Sequence, residues 1–350
     1  YNLDSIYIIN IKMFFKDIVG HEFQKKALIR TARERRISHA YLFSGPDGVG
    51  KRIIAAEFAK ILNCLRFDSI SEEDTSGERC DCNSCKKIDK GIHPDVFFVE
   101  YKGLKNIKVD QIREEVEERI FFRPFEGRFK VAVVDEAERM NPNAQNAFLK
   151  TLEEPPEDSV IILVSSQPEF LLPTIKSRCQ LLQFNGISQE IMLEKVRKST
   201  DLSPEEAWVV VKLSCGSLGK ALGFKKDVLS ERRETIIKLS EINPKYASHV
   251  LGFVDSMPTS SSSDDLERLA FVFEIIASWL RDLLLIEIGY EEDDISNRDL
   301  VPVIRKLKHK WSADKILDKI KSVENAWYSI FRGNANKQMA LENMVLKIAE

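Results

Sequence analysis

The 350-residue sequence has no excess of positive charge and no long uninterrupted apolar run. Its formal net charge is −3, so no overall basic field draws it to nucleic acid, and any DNA contact must come from a local patch or from backbone amides. The most apolar stretch, residues 271–290, contains four charged residues, which favours a buried amphipathic helix over a membrane span. The first residues do not follow the pattern of a signal peptide, so we expect a cytoplasmic protein with no membrane partner.

Cysteine is scarce outside one short window. The chain has six cysteines, and four of them crowd together, which indicates a metal site in a reducing compartment rather than disulfides. Thiolates at such short spacings can share one tetrahedral zinc ion, and a closed four-sulfur site is structural because it leaves no position for water or substrate. The alternative is a set of unpaired reduced thiols on a surface loop. The predicted zinc ligands are Cys64, Cys80, Cys82 and Cys85.

Three of the 15 glycines fall in a single loop, residues 44–52, that reads Ser-Gly-Pro-Asp-Gly-Val-Gly-Lys-Arg. A phosphate-binding loop reads Gly, four residues, Gly-Lys and then Ser or Thr. Gly45, Gly50 and Lys51 fit that pattern, Gly48 lies between them, and the loop joins an apolar run to a helical pattern. Glycines allow the backbone amides to turn toward a phosphate, the helix N-terminus adds a favourable dipole, and the lysine reaches the outer phosphates. The alternative, a strand-to-helix turn that merely favours glycine, leaves the lysine unexplained.

This loop lacks its final hydroxyl group, because Arg52 stands where a Ser or Thr would hold magnesium. A second nucleotide signature is nevertheless present. Residues 130–136 form an apolar run that ends in Asp135 and Glu136. In nucleotide hydrolases the first such acid holds magnesium or its waters, and the second polarises the attacking water. Two acids after a buried strand can also cap the next helix, but together with the glycine loop they predict binding of ATP or ADP with Mg²⁺.

Apolar runs alternate with helical patterns up to about residue 184, and this alternation predicts an α/β fold with a parallel sheet. From residue 188 onward the periodicity is helical. Residues 1–12 precede Met13, which we expect to be the native start. The predicted division is an α/β phosphate-loop domain (residues 13–184) with an inserted zinc module (64–85), a small helical domain (185–226) and a larger helical domain (227–350).

Five blocks carry a family resemblance: residues 38–45, the four-cysteine cluster, and residues 107–113, 146–156 and 177–179. Together they resemble the bacterial clamp-loader subunits of DNA polymerase III, which belong to the AAA+ superfamily, and within that family the delta-prime type of subunit. The resemblance implies an AAA+ domain followed by a helical lid and a helical collar. It also implies a hetero-pentamer with gamma/tau and delta subunits that places a sliding clamp on primer–template DNA.

The resemblance further assigns roles to single residues. Gamma/tau subunits hydrolyse ATP at subunit interfaces, and each interface takes an arginine finger from the neighbour's Ser-Arg-Cys motif, which here contains Arg178. By residue type alone, that arginine is an ordinary surface residue or part of an ion pair. Two departures fall on catalysis: Arg52 replaces the hydroxyl, and Gly219 stands where the ATPase subunits carry an arginine. Lys220 is a poor substitute, because one helical position turns a side chain by about 100°.

These features imply a noncatalytic subunit that donates Arg178 to a neighbour and can still bind nucleotide through Lys51, Asp135 and Glu136. Two alternatives stay open: an active gamma/tau-like ATPase with a substituted magnesium site, and a purely structural assembly subunit. The first cysteine of the cluster also lies farther from the second than the family pattern has it. The geometry of the predicted zinc ligands is therefore a question for the structure.

Overall fold

The computed structural model describes residues 13–69, 79–100, 106–224, 226–260, 262–292, 294–331, 333 and 335–350. Residues 1–12, which we expected to precede the native start, and residues 70–78 of the predicted zinc module lie outside the described residues. The chain folds into two compact units: the first reaches to Ile191 and includes Gly216–Gly219, and the second comprises Met192–Cys215 and Lys220–Glu350. Among the described residues, no helix is both long enough and apolar enough to cross a membrane.

The first unit is built around five strands: β1 (Ala40–Ser44), β2 (Val96–Val99), β3 (Lys130–Val134), β4 (Ser159–Ser165) and β5 (Gln180–Gln183). They pair in parallel, in the order β2-β3-β4-β1-β5. Every residue of β1, β3 and β4 is buried, as expected of parallel strands that helices cover on both faces. The predicted α/β fold with a parallel sheet is confirmed.

Helices cover both faces of this sheet. They are α1 (Glu22–Arg33), α2 (Lys51–Asn63), α3 (Asn83–Asp89), α4 (Val109–Ile112), α5 (Glu118–Ile120), α6 (Pro142–Glu153) and α7 (Pro173–Arg178), with a π-helical segment (Arg113–Glu117) between α4 and α5. α1, α2 and α3 share a core with Val131 and Ile162, whereas α4 to α7 pack with the intervening residues Ala132 and Ile161 on the other face. The pleat of each strand therefore divides its side chains between two cores.

Local chemistry sets the ends of α6, which contains most of the long block at residues 146–156. The side-chain oxygen of Asn141 accepts a hydrogen bond from Ala144 N–H at 2.7 Å, and Pro142 occupies the first helical position. Two prolines, Pro155 and Pro156, follow the helix after one further residue. A proline cannot continue the hydrogen-bond ladder, so the chain turns there into β4 as the sequence predicts.

Every regular secondary-structure element among the described residues of the second unit is a helix, as the sequence predicts. Apart from the first residues of α8 and α10, this unit holds the remaining helices: α8 (Gln189–Ser199), α9 (Pro204–Leu213), α10 (Leu218–Gly223), α11 (Lys226–Ser240), α12 (Ala247–Asp255), α13 (Ser263–Glu287), α14 (Val301–Leu307), α15 (Ala313–Phe331) and α16 (Lys337–Ala349). Its core surrounds α13, where Trp279 and Leu280 are fully buried beside Leu341 and Val345 of α16.

The apolar stretch 271–290 forms most of α13 and carries one fully buried charge, Asp282. The carboxylate of Asp282 accepts hydrogen bonds from the backbone N–H groups of Ser296 at 3.0 Å and Asn297 at 2.7 Å. Hydrogen bonds of this kind satisfy the buried charge and tie the segment after α13 to the helix. The stretch is an amphipathic core helix, as its interrupting charges predict.

Candidate functional site

The glycine loop connects β1 to α2 and closes over the end of the sheet. Gly45 N–H donates to Ser165 O at 3.2 Å, and a Cβ added at Gly45 would lie 2.0 Å from Phe184 O. No side chain fits there. Gly48 and Gly50 have left-handed φ angles of 71° and 103°, a region that glycine adopts without steric cost. The structure therefore needs these three glycines for close backbone approach and for the turn into α2.

Lys51 points back into this loop rather than out to solvent. Its Nζ donates to Gly45 O at 2.6 Å and to Pro46 O at 2.7 Å, and the residue is buried. Burial lowers the pKa of Lys51, and nearby carboxylates, Asp47 first, offset part of that shift. The ammonium group is thus held at the centre of the loop, where a phosphate-binding loop needs its cation.

Two groups that the glycine pattern does not include brace the loop from outside. His21 Nε2 lies 2.9 Å from Val49 O, and Gly219 N–H donates to Gly48 O at 2.9 Å. A Cβ at Gly219 would lie 3.0 Å from that oxygen. Gly219, which stands where the ATPase subunits carry an arginine, therefore packs its backbone directly against the backbone of the loop. A larger side chain at this position would have to displace the loop. No local signal in the sequence marks His21 for this contact.

Asp135 and Glu136 follow β3 and lie at the same end of the sheet as the loop. Burial raises the pKa of Asp135, although the Glu136 N–H, which donates to its Oδ1 at 3.0 Å, and two cations oppose the shift. Glu136 has a left-handed φ of 46°, and its Oε2 pairs with Arg139 Nε at 2.7 Å. Burial also raises the pKa of Glu136. The second acid is therefore present, but a neighbouring guanidinium holds it.

Arg52 reaches across this end of the sheet to two carboxylates. Its Nη2 pairs closely with Glu100, the residue after β2, and its Nε lies 3.6 Å from Asp135 Oδ2. Sequence reasoning missed Glu100, although it carries the same signal as Asp135, an acid directly after a largely buried strand. Because β2 and β3 are neighbours in the sheet, their carboxyl ends bring both acids to the one arginine.

Glu138 is a further acid that sequence reasoning missed. It accepts hydrogen bonds from Ser166 N–H at 3.0 Å and from Ser166 Oγ at 2.5 Å. This contact ties the turn after β3 to the end of β4, next to the strand that leads into the loop. It fixes the acidic side of the site relative to the glycine loop.

The four clustered cysteines converge in space. Their sulfur atoms all lie within 4.8 Å of one another, with Cys64 Sγ 3.5 Å from Cys80 Sγ and 4.0 Å from Cys82 Sγ. Four sulfurs at about 2.3 Å from a tetrahedral zinc ion are separated by about 3.8 Å. The long interval between the first two cysteines therefore does not prevent a four-sulfur arrangement, because α2 ends at Asn63 beside the start of the cluster.

Backbone groups support two of these sulfurs. Arg66 N–H donates to Cys64 Sγ at 3.4 Å, and Cys85 N–H donates to Cys82 Sγ at 3.5 Å at the start of α3. The hydrogen bond with Cys80 raises the pKa of Cys64 to about 12. Several thiols in one cluster cannot all ionise without a cation, so the donor set and its spacing fit a thiolate-bound metal.

Arg178 lies away from the glycine loop, at the other end of the sheet. It is the last residue of α7, and one residue separates it from β5. The first residue of β5, Gln180, is paired with Tyr41, while Gln183 is paired with Ser44 beside the loop. Three residues of strand span about 10 Å. Arg178 Nη2 pairs with Glu153 Oε1 at 2.5 Å and Nη1 donates to Thr174 O at 2.9 Å. The half-exposed guanidinium therefore cannot serve its own loop.

The predicted site residues thus form three groups within the first unit. The loop residues with Asp135 and Glu136 meet at the carboxyl end of the sheet, the four cysteines converge near the amino end, and Arg178 stands apart from both. Glu153, the partner of Arg178, lies 25 residues away in the chain, and pattern alone does not reveal this pair. Arg139, the partner of Glu136, lies three residues further along the chain.

Most of the chain is similar in sequence to known protein families and to individual proteins. Residues 20–188 match a family described as DNA polymerase III, delta subunit, and residues 255–350 match the C-terminal family of that subunit. The chain is 31% identical over 329 residues to DNA polymerase III subunit delta' of Bacillus subtilis. The aligned region covers 93% of this chain and 95% of the relative. It is 33% identical over 284 residues to subunit delta' of Pseudomonas aeruginosa, with 80% and 82% covered. It is also 31% identical over 291 residues to subunit tau of Bacillus subtilis, with 77% of this chain but only 50% of that relative covered.

Proposed function

The chain belongs to the delta-prime family of DNA polymerase III clamp-loader subunits, and from this premise we propose that it is a noncatalytic subunit that donates Arg178 to a neighbouring ATPase. It helps place a sliding clamp on primed DNA during replication. The observation that carries the proposal is the position of Arg178, half-exposed and at the opposite end of the sheet from its own glycine loop. An arginine in that place can act only on another molecule's nucleotide.

Three features support the absence of turnover at the chain's own loop. Arg52 replaces the hydroxyl that would hold magnesium. Glu136, which would polarise the attacking water, is paired with Arg139 at 2.7 Å, so a guanidinium already occupies the carboxylate that would orient this water. Gly219 lies with its backbone against the loop and offers no guanidinium to the phosphates. The loop itself, with Lys51 at its centre, keeps the parts that bind ATP or ADP.

The role in trans rests on the chemistry of the guanidinium. An always-charged planar group near the γ-phosphate stabilises the charge that develops in the transition state and contributes about 10³ to 10⁵ in rate in well-studied nucleotide hydrolases. The resting partners of Arg178 are Glu153, which is exposed, and a backbone carbonyl. Exposed pairs of this kind are worth about 0–1 kcal/mol, so a phosphate can replace them at small cost.

The four-cysteine cluster supports a structural zinc ion bound by Cys64, Cys80, Cys82 and Cys85. These residues would hold the ion through four thiolates, and with no open position the ion would supply fold stability rather than chemistry. The site would fasten the end of α2 to the start of α3, so that the segment between these helices forms the inserted zinc module.

The remaining assignments follow from family membership. We propose an AAA+ domain over residues 13–184, a helical lid over 185–226 and a helical collar over 227–350 that mediates assembly. The partners are gamma/tau and delta subunits in a hetero-pentamer, the sliding clamp, and primer–template DNA reached through the complex. The protein works in the cytoplasm, where replication takes place.

The test is the ATPase activity of a clamp loader reconstituted with gamma/tau and delta subunits, in the presence of clamp and primed DNA. Arg178→Ala is expected to lower single-turnover hydrolysis at the adjoining site about 10³-fold, and steady-state turnover by the share of that site. Lys176→Ala is the matched control, because it removes an exposed cation from the same helix. Unchanged hydrolysis with Arg178→Ala would overturn the role of Arg178 in trans.

The active-ATPase alternative is tested on the isolated chain. We expect no hydrolysis above background for two reasons. Arg52 replaces the hydroxyl group that would hold magnesium, and Gly219 stands where ATPase subunits carry an arginine. Clear hydrolysis that Lys51→Ala abolishes would show instead that the chain is a motor with a substituted magnesium site.

A further inference from the structure

The loop position that would supply a hydroxyl ligand to magnesium carries a charged side chain instead. Arg52 follows Lys51 at the start of α2, and its guanidinium lies between Glu100 and Asp135. These acids end two neighbouring strands, so the arginine joins the glycine loop to the acidic side of the site.

Magnesium does not fit this arrangement. Mg²⁺ takes near-octahedral oxygen ligands at 2.0–2.1 Å, usually from carboxylates, waters and phosphates. The loop position that should provide a hydroxyl oxygen provides a guanidinium, which has five N–H donors and no acceptor. Asp135, the acid that should hold the metal or its waters, faces that cation at 3.6 Å. A divalent ion beside Asp135 would therefore meet the positive charge of Arg52 and would find no hydroxyl ligand at this loop position.

The rest of the cradle is suited to a polyphosphate. Lys51 lies at the centre of the loop, and the backbone of Gly48 and Gly50 turns as a phosphate loop requires. A guanidinium binds phosphate oxygens in pairs and does not lose its charge at any physiological pH. Among the described residues, the contacts of Arg52 with the two carboxylates use Nη2 and Nε, which is part of the donor capacity of the side chain.

We propose that Arg52 is a built-in cation that replaces magnesium, so that this loop binds a nucleoside di- or triphosphate in its metal-free form. The inference rests on the assignment of the loop as a nucleotide site in the proposed function. The guanidinium neutralises the outer phosphates, while Asp135 and Glu100 fix its position. Nucleotide bound in this way lacks the metal that organises hydrolysis, so it acts as a structural part of the subunit.

The experiment measures the Kd of the full chain for N-methylanthraniloyl-ADP by fluorescence anisotropy, in EDTA and in excess Mg²⁺. The wild-type protein is expected to bind in EDTA with a Kd equal to or lower than that in Mg²⁺. Arg52→Thr restores the hydroxyl and removes the cation; its Kd in EDTA should rise at least tenfold, and Mg²⁺ should recover most of the loss. Arg36→Thr makes the same charge change at an exposed position outside the loop and should leave both values within twofold of the wild type.

The outcomes separate this inference from the rest of the proposed function. Wild-type binding that tightens tenfold or more with Mg²⁺ would overturn the built-in cation and keep the nucleotide site. No binding in either condition would overturn both, while the role of Arg178 in trans would stand on its own ATPase test. Thermal melting of each variant shows whether it is folded. If Arg52→Thr does not fold, Arg52→Lys replaces it. Because lysine keeps a point charge at this position, an unchanged Kd of Arg52→Lys in EDTA would support the built-in cation.

Discussion

At the amino end of the parallel sheet Asp95 is fully buried, whereas at the carboxyl end Asp135 lies in a half-open cluster of charges. Asp95 accepts hydrogen bonds from the backbone N–H groups of Phe125, Glu126 and Gly127 at 2.7–2.8 Å. Its Oδ1 also lies 3.1 Å from Lys130 Nζ. Burial raises the pKa of Asp95, but these donors outweigh it and lower the pKa to about 2.

In the part of the chain that the structure describes, a single backbone N–H, that of Glu136, donates to the carboxylate of Asp135, and burial raises the pKa of Asp135. At the amino end, backbone N–H groups therefore stabilise the carboxylate of Asp95. At the carboxyl end, the carboxylate of Asp135 receives less stabilisation from the backbone. That difference agrees with the position of the proposed nucleotide site, because parallel α/β sheets bind ligands at the carboxyl ends of their strands. The cysteine cluster, next to the end of α2, lies at the amino end, and Arg178 precedes β5 at that same end.

The largest effect is expected from the cysteine cluster. Cys82→Ala leaves three sulfurs, and we expect loss of zinc and of about 4 kcal/mol of stability, or roughly 10 °C in Tm. Calorimetry with metal analysis by mass spectrometry, on protein purified without added zinc, measures both. Cys215→Ala, an exposed cysteine outside the cluster, is the control and should change neither. A wild-type protein with no zinc and four freely titrating thiols would show that this end of the sheet is held by packing alone.

A matched pair of variants tests the two aspartates. Asp95→Asn should lower the free energy of unfolding by about 2 kcal/mol, because the pKa difference between about 3.8 unfolded and about 2 folded is lost. Asp135→Asn should change it by less than about 1 kcal/mol, since neutralising a carboxylate whose pKa is raised by burial relieves a cost while its exposed ion pair is worth little. Urea unfolding at pH 7 measures both, and equal losses would remove the distinction between the two ends.

The contribution of Asp95 to the free energy of unfolding should depend on pH in a definite direction. A carboxyl group with a depressed folded pKa stabilises the protein above its unfolded pKa and loses that contribution as the pH falls toward the folded value. The stability difference between wild type and Asp95→Asn should therefore be constant from pH 7 to pH 5. It should fall to about half by pH 3. A difference that grows on acidification would contradict the assignment.

The smallest effect is expected at the contact between Gly219 and the loop. In Gly219→Ala the new Cβ would lie 3.0 Å from Gly48 O, so the loop must move by a few tenths of an ångström, while alanine favours the helix by about 0.5–1 kcal/mol. The two terms nearly cancel in urea unfolding, but nucleotide affinity should weaken a few-fold. Gly223→Ala, in the same helix and with no described atom within 4 Å of its Cβ position, should leave affinity unchanged. Equal affinities for the two variants would show that the carboxyl end tolerates movement of the loop.

Much of this architecture can be predicted from short-range patterns. The alternation of apolar runs with helical periods specified a parallel sheet, because both periods depend only on backbone geometry. The helical second unit followed for the same reason. The glycine loop and the cysteine set were visible because each needs particular residue types at fixed spacing.

The partners of the charged groups were not visible in this way. Glu100 meets Arg52, and Glu153 meets Arg178, only because distant strands and helices end side by side. His21 reaches the loop from the start of α1, and no rule of spacing connects residues so far apart in the chain. Ion pairs between exposed side chains contribute little to folding, so they leave little trace in any local pattern.

The sequence by itself determined the sheet, the glycine loop, the cysteine set and the loss of the magnesium hydroxyl at position 52. Only the tertiary structure decided that Arg52 turns to Asp135 and Glu100, that Gly219 fills its space with backbone, and that Arg178 faces away from its own loop. The reason is physical. Secondary structure and turns follow from interactions within a few residues, whereas the direction in which a charge acts depends on which elements the sheet order brings together.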